Sequence, residues 1–381
     1  MKCFKNAAVY VEGSGLVRCS VEFEEKITFI GDASSAEEIV LPSGAIVLPG
    51  FVDQHVHGAG GADAMDGSVE ALATISQTLA KEGTTSFLVT TMTQSKESIL
   101  NVMRAVKDFQ VQDVTGARAV GVHLEGPFIN LKYKGAQPAE YVVAPDVKTF
   151  EEYNEASGNA IKLVTLAPEV EGAEEMIAYL KEKAIVASIG HTSAGFEAVQ
   201  KAVECGASNV THTYNAQTAL HHREIGVVGS AMLFDELNCE MIADTIHVSV
   251  PAMKLLVKNK PKDKLTLITD AMRAKGIPEG VSELGGQTVY VKGGEARLAD
   301  GTLAGSVLKM NRAVENVVEK VGVPFTQAVD FATINPAKNL GLDSEIGSIK
   351  VGKRADFTVV NKNFDVLYTI VGGKIVYAAE N

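Results

Sequence analysis

The sequence predicts an α/β chain: a closed, TIM-like (β/α)8 barrel fills the middle, and strands from both termini build one small β domain. Three observations lead there. The two ends consist of short alternating polar and apolar runs broken by Gly. The middle alternates β-branched runs with helical periodicity, the pattern of βα units around a parallel sheet, and eight such runs can be counted. Histidines and carboxylates recur where those runs stop, and the C-terminal strand ends are the functional face of such a barrel.

The first strands are Ala7-Ala8-Val9-Tyr10-Val11, Val21-Glu22-Phe23, Lys26 to Ile30 and Ala45 to Leu48, joined by turns. The eight barrel strands are expected to begin near Phe51, Thr84, Ala119, Ile161, Ile185, Asn209, Asn238 and Leu265. Helices are expected at Glu171 to Lys183, Ala194 to Glu204 and Leu308 to Lys320 among the connections. Strands return at Ala355 to Val360, Val366 to Ile370 and Lys374 to Tyr377. A composition shift near Pro49-Gly50 and the Gly-rich segment from Gly341 to Gly352 divide the chain into 1–49 plus 345–381 and a catalytic 50–344. An open doubly wound sheet is the competing architecture. It would carry a Gly-rich phosphate turn after its first strand, where this chain has His55-Val56-His57-Gly58.

The chain has 381 residues, 46% hydrophobic and 22% charged, with 35 Gly and 11 Pro, so disordered and collagen-like classes are excluded. A net charge of −12 without any Lys/Arg-rich run argues against nucleic acid or anionic membranes as partners. The four cysteines form no C-x-x-C pair, which fits reduced thiols; Cys205 and Cys239 read as small buried hydrophobes. The N-terminus lacks an apolar run after its basic residues, and no stretch approaches the roughly 18 apolar residues of a membrane helix. The expectation is a soluble, unexported, cytoplasmic protein.

His55 and His57 are two apart on a strand, so both side chains point the same way and can reach one ion. Alone, the pair reads equally well as two locally satisfied histidines. Glu125, His191, His212 and Asp270, each at or near the end of a strand-like run, favour a metal centre. Imidazole and carboxylate suit an ion such as Zn²⁺ or Fe²⁺, and a carboxylate can bridge two ions. Such a site lowers the pKa of bound water toward about 7, and Asp270 then suits proton transfer between nucleophile and leaving group. Asp270 is also placed to cap a following helix.

The segments Pro49 to Gly58, His123-Leu124-Glu125-Gly126-Pro127-Phe128, Gly190-His191-Thr192, Thr211-His212, Thr269-Asp270-Ala271 and Asp300 to Ser306, in this order, resemble the amidohydrolase superfamily and, within it, its amino-sugar-phosphate deacetylases. The resemblance implies a (β/α)8 barrel with a β-sandwich domain from both termini. It implies hydrolysis of the N-acetyl group of an N-acetyl-amino-sugar 6-phosphate, with one or two divalent ions per subunit. Glu125, His191 and His212 would hold the principal ion, His55 and His57 a second one bridged by Glu125, and Asp270 would be the general acid/base.

For the substrate the resemblance points to Ala136, Gln137, Asn215, Ala216, Arg223, Asp244, Thr245, Ile246, His247, Leu303, Ala304 and Gly305. Arg223 suits a phosphate through its bidentate fork, and in the family's common homodimers this loop can enter the neighbour's site. Arg223 can equally be a solvated surface cation, and His247 a locally bonded strand-end histidine. Departures from the family pattern fall around the sugar pocket: Gln137 replaces a usual His, and Tyr214, Gln217, Thr245 and Ile225 replace Phe, Met, Gly and Pro. The galactosamine epimer is therefore a second substrate expectation. A carbamylated-lysine amidohydrolase ranks lower because Glu125 stands at the bridging position. A non-catalytic sugar-phosphate sensor also ranks lower, because every ligand and Asp270 is present.

Overall fold

The structure is a computed structural model and describes residues 1–32, 36–113 and 115–380; positions 33–35 and 381 of the expected terminal domain lie outside the described residues. Eight parallel strands form the central sheet: Phe51–Val56, Thr84–Thr90, Arg118–Glu125, Ile161–Leu166, Val186–Ile189, Asn209–Val210, Asn238–Ile242 and Leu265–Ile268, hydrogen-bonded in chain order. Helices cover the outside and side chains fill the inside, so strands such as Thr84–Thr90 and Leu265–Ile268 are buried along their whole length. Burial on both faces explains why they read as unbroken runs instead of an alternation.

The sheet closes where its first and eighth strands end. Val56 bridges Ala271, Asp270 N donates to His55 O at 2.8 Å, and His57 N donates to Ala271 O at 2.9 Å. Asp53 reinforces the seam from inside: fully buried, it accepts from the backbone of His55 and Thr269, both at 3.3 Å, and from the Thr269 hydroxyl.

The expected helices are present, each starting two residues later than expected. Ala173–Glu182 starts after Gly172, whose φ of 87° is incompatible with a helix, and Phe196–Cys205 starts after Gly195 in extended backbone. The last expected helix is Met310–Asn316, continued by a π-helical turn at Val317–Val321.

Both termini share one sheet, ordered Lys374–Ala378, Val366–Val371, Phe357–Val360, Ile46–Pro49, Lys2–Val11, Gly15–Phe23, Ile27–Gly31. Its seam is the antiparallel pairing of Phe357–Val360 with Ile46–Pro49. Phe4, Phe23 and Phe357 meet in its core with ring centroids 4.9–5.3 Å apart.

A further antiparallel sheet, Gly280–Leu284, Gln287–Lys292, Glu295–Leu298 and Leu303–Ser306, departs from the sequence expectation of a plain βα barrel over this stretch. Its first two turns are Gly285-Gly286 and Gly293-Gly294, all at positive φ, and a Gly-Gly pair between alternating runs is the hairpin signal that marks it. Its fourth strand bonds the end of the barrel seam, Ser306 N to Asp270 O at 2.7 Å, and so brings Leu303 and Gly305 to the barrel mouth. Among the described residues no helix is long and apolar enough to cross a membrane.

Candidate metal centre

Five barrel strands deliver the expected side chains to one point. His55 is the penultimate residue of the first strand with His57 just beyond it, Glu125 ends the third, and His191, His212 and Asp270 lie two residues past the fifth, sixth and eighth. His212 thus follows its strand, Asn209–Val210, instead of lying inside it. Asp270 caps no helix: Ala271, beside it, bridges both Val56 and Ser306, and the next helix starts at Met310.

His191, His212 and Asp270 have φ of 47°, 29° and 47°, in the left-handed region that side chains with a Cβ rarely adopt. Each such residue costs on the order of 1–3 kcal/mol. Six of the ten described non-glycine residues with positive φ belong to this mouth: these three with Tyr214, Ala216 and Thr245. The tight turn is what swings each side chain inward from a strand that has just ended.

Two groups that could hold a metal ion result, His55, His57 and Glu125, and Glu125, His191 and His212, sharing the carboxylate. Glu125 Oε1 lies 3.2 Å from His191 Nε2, 3.1 Å from His212 Nε2 and 3.4 Å from His55 Nε2, and Oε2 lies 3.2 Å from His57 Nε2. The nitrogens face one another, His191 to His212 at 3.1 Å and His55 to His57 at 3.3 Å. Ion–nitrogen distances of about 2.0–2.1 Å in a tetrahedral site place neighbouring donor atoms about 3.3–3.4 Å apart, so the donor sets have the size of a coordination shell. Asp270 Oδ1 completes the cluster, 3.2 Å from His57 Nε2 and 3.4 Å from His55 Nε2.

Electrostatics agree with the geometry. Burial opposes a charged His57, yet Asp270 and Glu125 lift it to about 9; His55 is likewise held well above the ordinary imidazole value against burial. Burial would raise Glu125 and Asp270, but the surrounding imidazoles hold Glu125 well below the carboxylate range and Asp270 down to about 2. Two buried carboxylates ringed by four imidazoles form a field that demands positive charge, and a divalent cation meets it. The residues therefore fit the metal that the sequence implies. His191 Nδ1 bonds Tyr133 O at 2.9 Å, which aims its Nε2 at Glu125.

The cluster floors a cavity of about 350 Å³. Ala136, Gln137, Asn215, Ala216, His247, Leu303 and Gly305 line its wall as expected from the sequence. Gln137 donates to Glu125 Oε2 at 2.9 Å and accepts from Thr93 N at 2.6 Å, so it braces the shared carboxylate. Asp244 lies off the wall and aims His247: Oδ1 accepts from Ile246 N and His247 N, both at 2.8 Å, and Oδ2 meets His247 Nδ1 at 2.6 Å. That loop needs Thr245 at φ 71°, the conformation for which Gly would be the unstrained choice. Thr245, Ile246 and the buried Ala304 are also off the wall. Arg223 is not brought to the cavity of its own chain; it sits in an exposed loop with Nη1 2.8 Å from His222 Nε2.

Lys132, Tyr133, Leu284 and Thr302 line the cavity without having been anticipated. Glu240, fully buried beneath the ligands, was passed over too, though a carboxylate inside Asn238-Cys239-Glu240-Met241-Ile242 is a legible anomaly.

The profile of the amidohydrolase family matches residues 46–376, and the chain belongs to that family. Within it, the chain is 43% identical over 348 residues to an N-acetylglucosamine-6-phosphate deacetylase of Bacillus subtilis (strain 168), covering 91% of this chain and 88% of that protein. An N-acetylgalactosamine-6-phosphate deacetylase of Escherichia coli O157:H7 is 36% identical over 330 residues, covering 87% of each. The crystal structure of N-acetylglucosamine-6-phosphate deacetylase from Pasteurella multocida superposes with a TM-score of 0.93 at 32% identity, over 99% of this chain and 100% of that one.

Proposed function

We propose that this chain hydrolyses N-acetyl-D-glucosamine 6-phosphate to D-glucosamine 6-phosphate and acetate. The observation that carries the reading is the pair of ligand groups sharing Glu125, with Asp270 3.2–3.4 Å from the second pair of ligands, at the floor of a cavity sized for a monosaccharide. Glu125, His191 and His212 would hold one divalent ion, Zn²⁺ or Fe²⁺, and His55, His57 and Glu125 would hold a second. When bound, such ions lower the pKa of water toward about 7 and polarise an amide carbonyl.

The chain's own groups do the rest. Asp270 takes the proton of the water that attacks the acetyl carbon. It then delivers that proton to the amide nitrogen as the C–N bond breaks, releasing the amine and acetate. His247, its Nδ1 fixed by Asp244, presents Nε2 to the carbonyl oxygen or to a sugar hydroxyl. Asn215, Ala216, Leu303 and Gly305 orient the sugar. The phosphate is met by Arg223 of the partner subunit in a homodimer, because the same residue lies off the cavity of its own chain. The division into 1–49 plus 345–381 and 50–344, and a cytoplasmic location, belong to the same reading.

The galactosamine epimer is the second reading, supported by the Escherichia coli relative at lower identity. Elemental analysis of the purified protein, coupled to acetate release from both epimers at equal metal loading, tests the proposal. Metal-dependent turnover favouring the glucosamine epimer is expected; turnover indifferent to chelation would sink it.

A further inference from the structure

We infer that Glu240 is the positioning residue that makes His55 a metal ligand, so that the second ion site depends on it; this rests on the two-ion reading above. The Glu240 carboxylate is fully buried on the seventh strand and accepts four hydrogen bonds. Its Oε2 takes His55 Nδ1 and the backbone N of His212, both at 3.1 Å. Its Oε1 takes Gln54 Nε2 at 2.7 Å and Asn209 Nδ2 at 3.3 Å. With only acceptors on Glu240, the His55 hydrogen must lie on Nδ1, which leaves the Nε2 lone pair facing His57 and Glu125. One side chain therefore fixes both the tautomer and the ring orientation of His55, and it touches only the backbone of His212.

The surroundings leave Glu240 no neutral substitute. Gln54 Oε1 and Asn209 Oδ1 both accept from Asn339 Nδ2 at 3.1 Å, and Asn209 Oδ1 also accepts from Asn238 Nδ2 at 2.7 Å. These bonds lock the amides with their nitrogens toward Glu240. A glutamine at 240 must turn its NH2 toward two donors, whichever way it lies. Of the four donors only His55 can yield, by moving its hydrogen to Nε2, and a ring carrying Nε2–H is no longer a ligand. His191 and His212 take no tautomer from Glu240, so the Glu125–His191–His212 group is spared.

Calorimetric titration of metal-stripped protein with Zn²⁺ tests this. Wild type should take two ions. Glu240→Gln should weaken one step by about 10–100-fold, the usual loss on removing such a partner, while the other step moves by less than about threefold. Thr266→Val is the control: Thr266 pairs beside Glu240 on the neighbouring strand, but its hydroxyl donates to Asn238 Oδ1 at 3.0 Å and bonds neither the Glu240 carboxylate nor His55, and both steps should survive. Unchanged binding in Glu240→Gln, or equal weakening in Thr266→Val, would overturn the role of Glu240. A wild type that takes one ion would instead sink the two-ion reading and this inference with it. Should Glu240→Gln not fold, ¹⁵N spectra of the Zn²⁺-loaded wild type decide: a hydrogen on His55 Nδ1 supports the inference, and one on Nε2 overturns it.

Discussion

Around Phe4, Phe23 and Phe357 the terminal sheet buries rings against rings, whereas the barrel mouth buries His55, His57, Glu125, His191 and His212 to 6% exposure or less with ionisable atoms pointed at one another. The core of the terminal sheet around these rings is apolar. The mouth is held by strained turns, by second-layer bonds such as Glu240 to His55, and by a need for cationic charge. Stability and chemistry are thus carried by different parts of the chain, and substitutions should separate them.

The largest expected effect is at Asp270. Asp270→Asn keeps the size of the side chain but cannot shuttle the proton, so kcat should fall by about 10²–10⁴-fold. Metal content and melting should be close to wild type, and near-normal turnover would remove Asp270 from the mechanism. Phe357→Ala should do the opposite, lowering unfolding free energy by about 3–5 kcal/mol while turnover per folded molecule is retained. Denaturant unfolding alongside active-site titration checks it, and a specific loss of kcat would break the separation.

Arg223→Ala tests a region that belongs to neither core. It should weaken discrimination between phosphorylated and unphosphorylated sugar by about 2–5 kcal/mol while leaving metal content unchanged. An unaltered preference would show that the phosphate is anchored elsewhere, for which Lys132 on the cavity wall is the first candidate.

The smallest effect concerns Glu12, which ties the end of the first strand to Ser348, Lys350 and Lys353. Burial works to raise it, but these partners outweigh burial and bring it down from 4.5 to about 2. A depressed carboxylate stabilises the fold above its unfolded value and loses that contribution as pH falls from about 4.5 through 2. Because the pair is largely solvated, Glu12→Gln should cost under about 1 kcal/mol at neutral pH. The difference from wild type should shrink through pH 2 and vanish below it, and a gap that persists there would locate the effect outside this titration.

Much of the barrel was legible because a strand covered on both faces needs an unbroken apolar or β-branched run, and eight such runs stand in the sequence. The metal-competent cluster was legible because polar residues at the ends of those runs have no packing reason to be there. Two features escaped. The sheet over 280–306 hid behind Gly-Gly turns whose meaning depends on pairing, and Glu240 stood inside a strand, where a carboxylate is a visible anomaly whose role stays unread until its partners are known.

The sequence by itself determined the fold class, the terminal strands and the metal-competent residue types, since these follow from local periodicity and side-chain chemistry. Only the tertiary structure decided that Asp244 aims His247, that Gln137 braces Glu125, that Arg223 stays away from its own cavity and that Glu240 sets His55. Each of these depends on which atoms face each other across strands distant in sequence, and hydrogen-bond direction is a property of that juxtaposition and not of the residues one at a time.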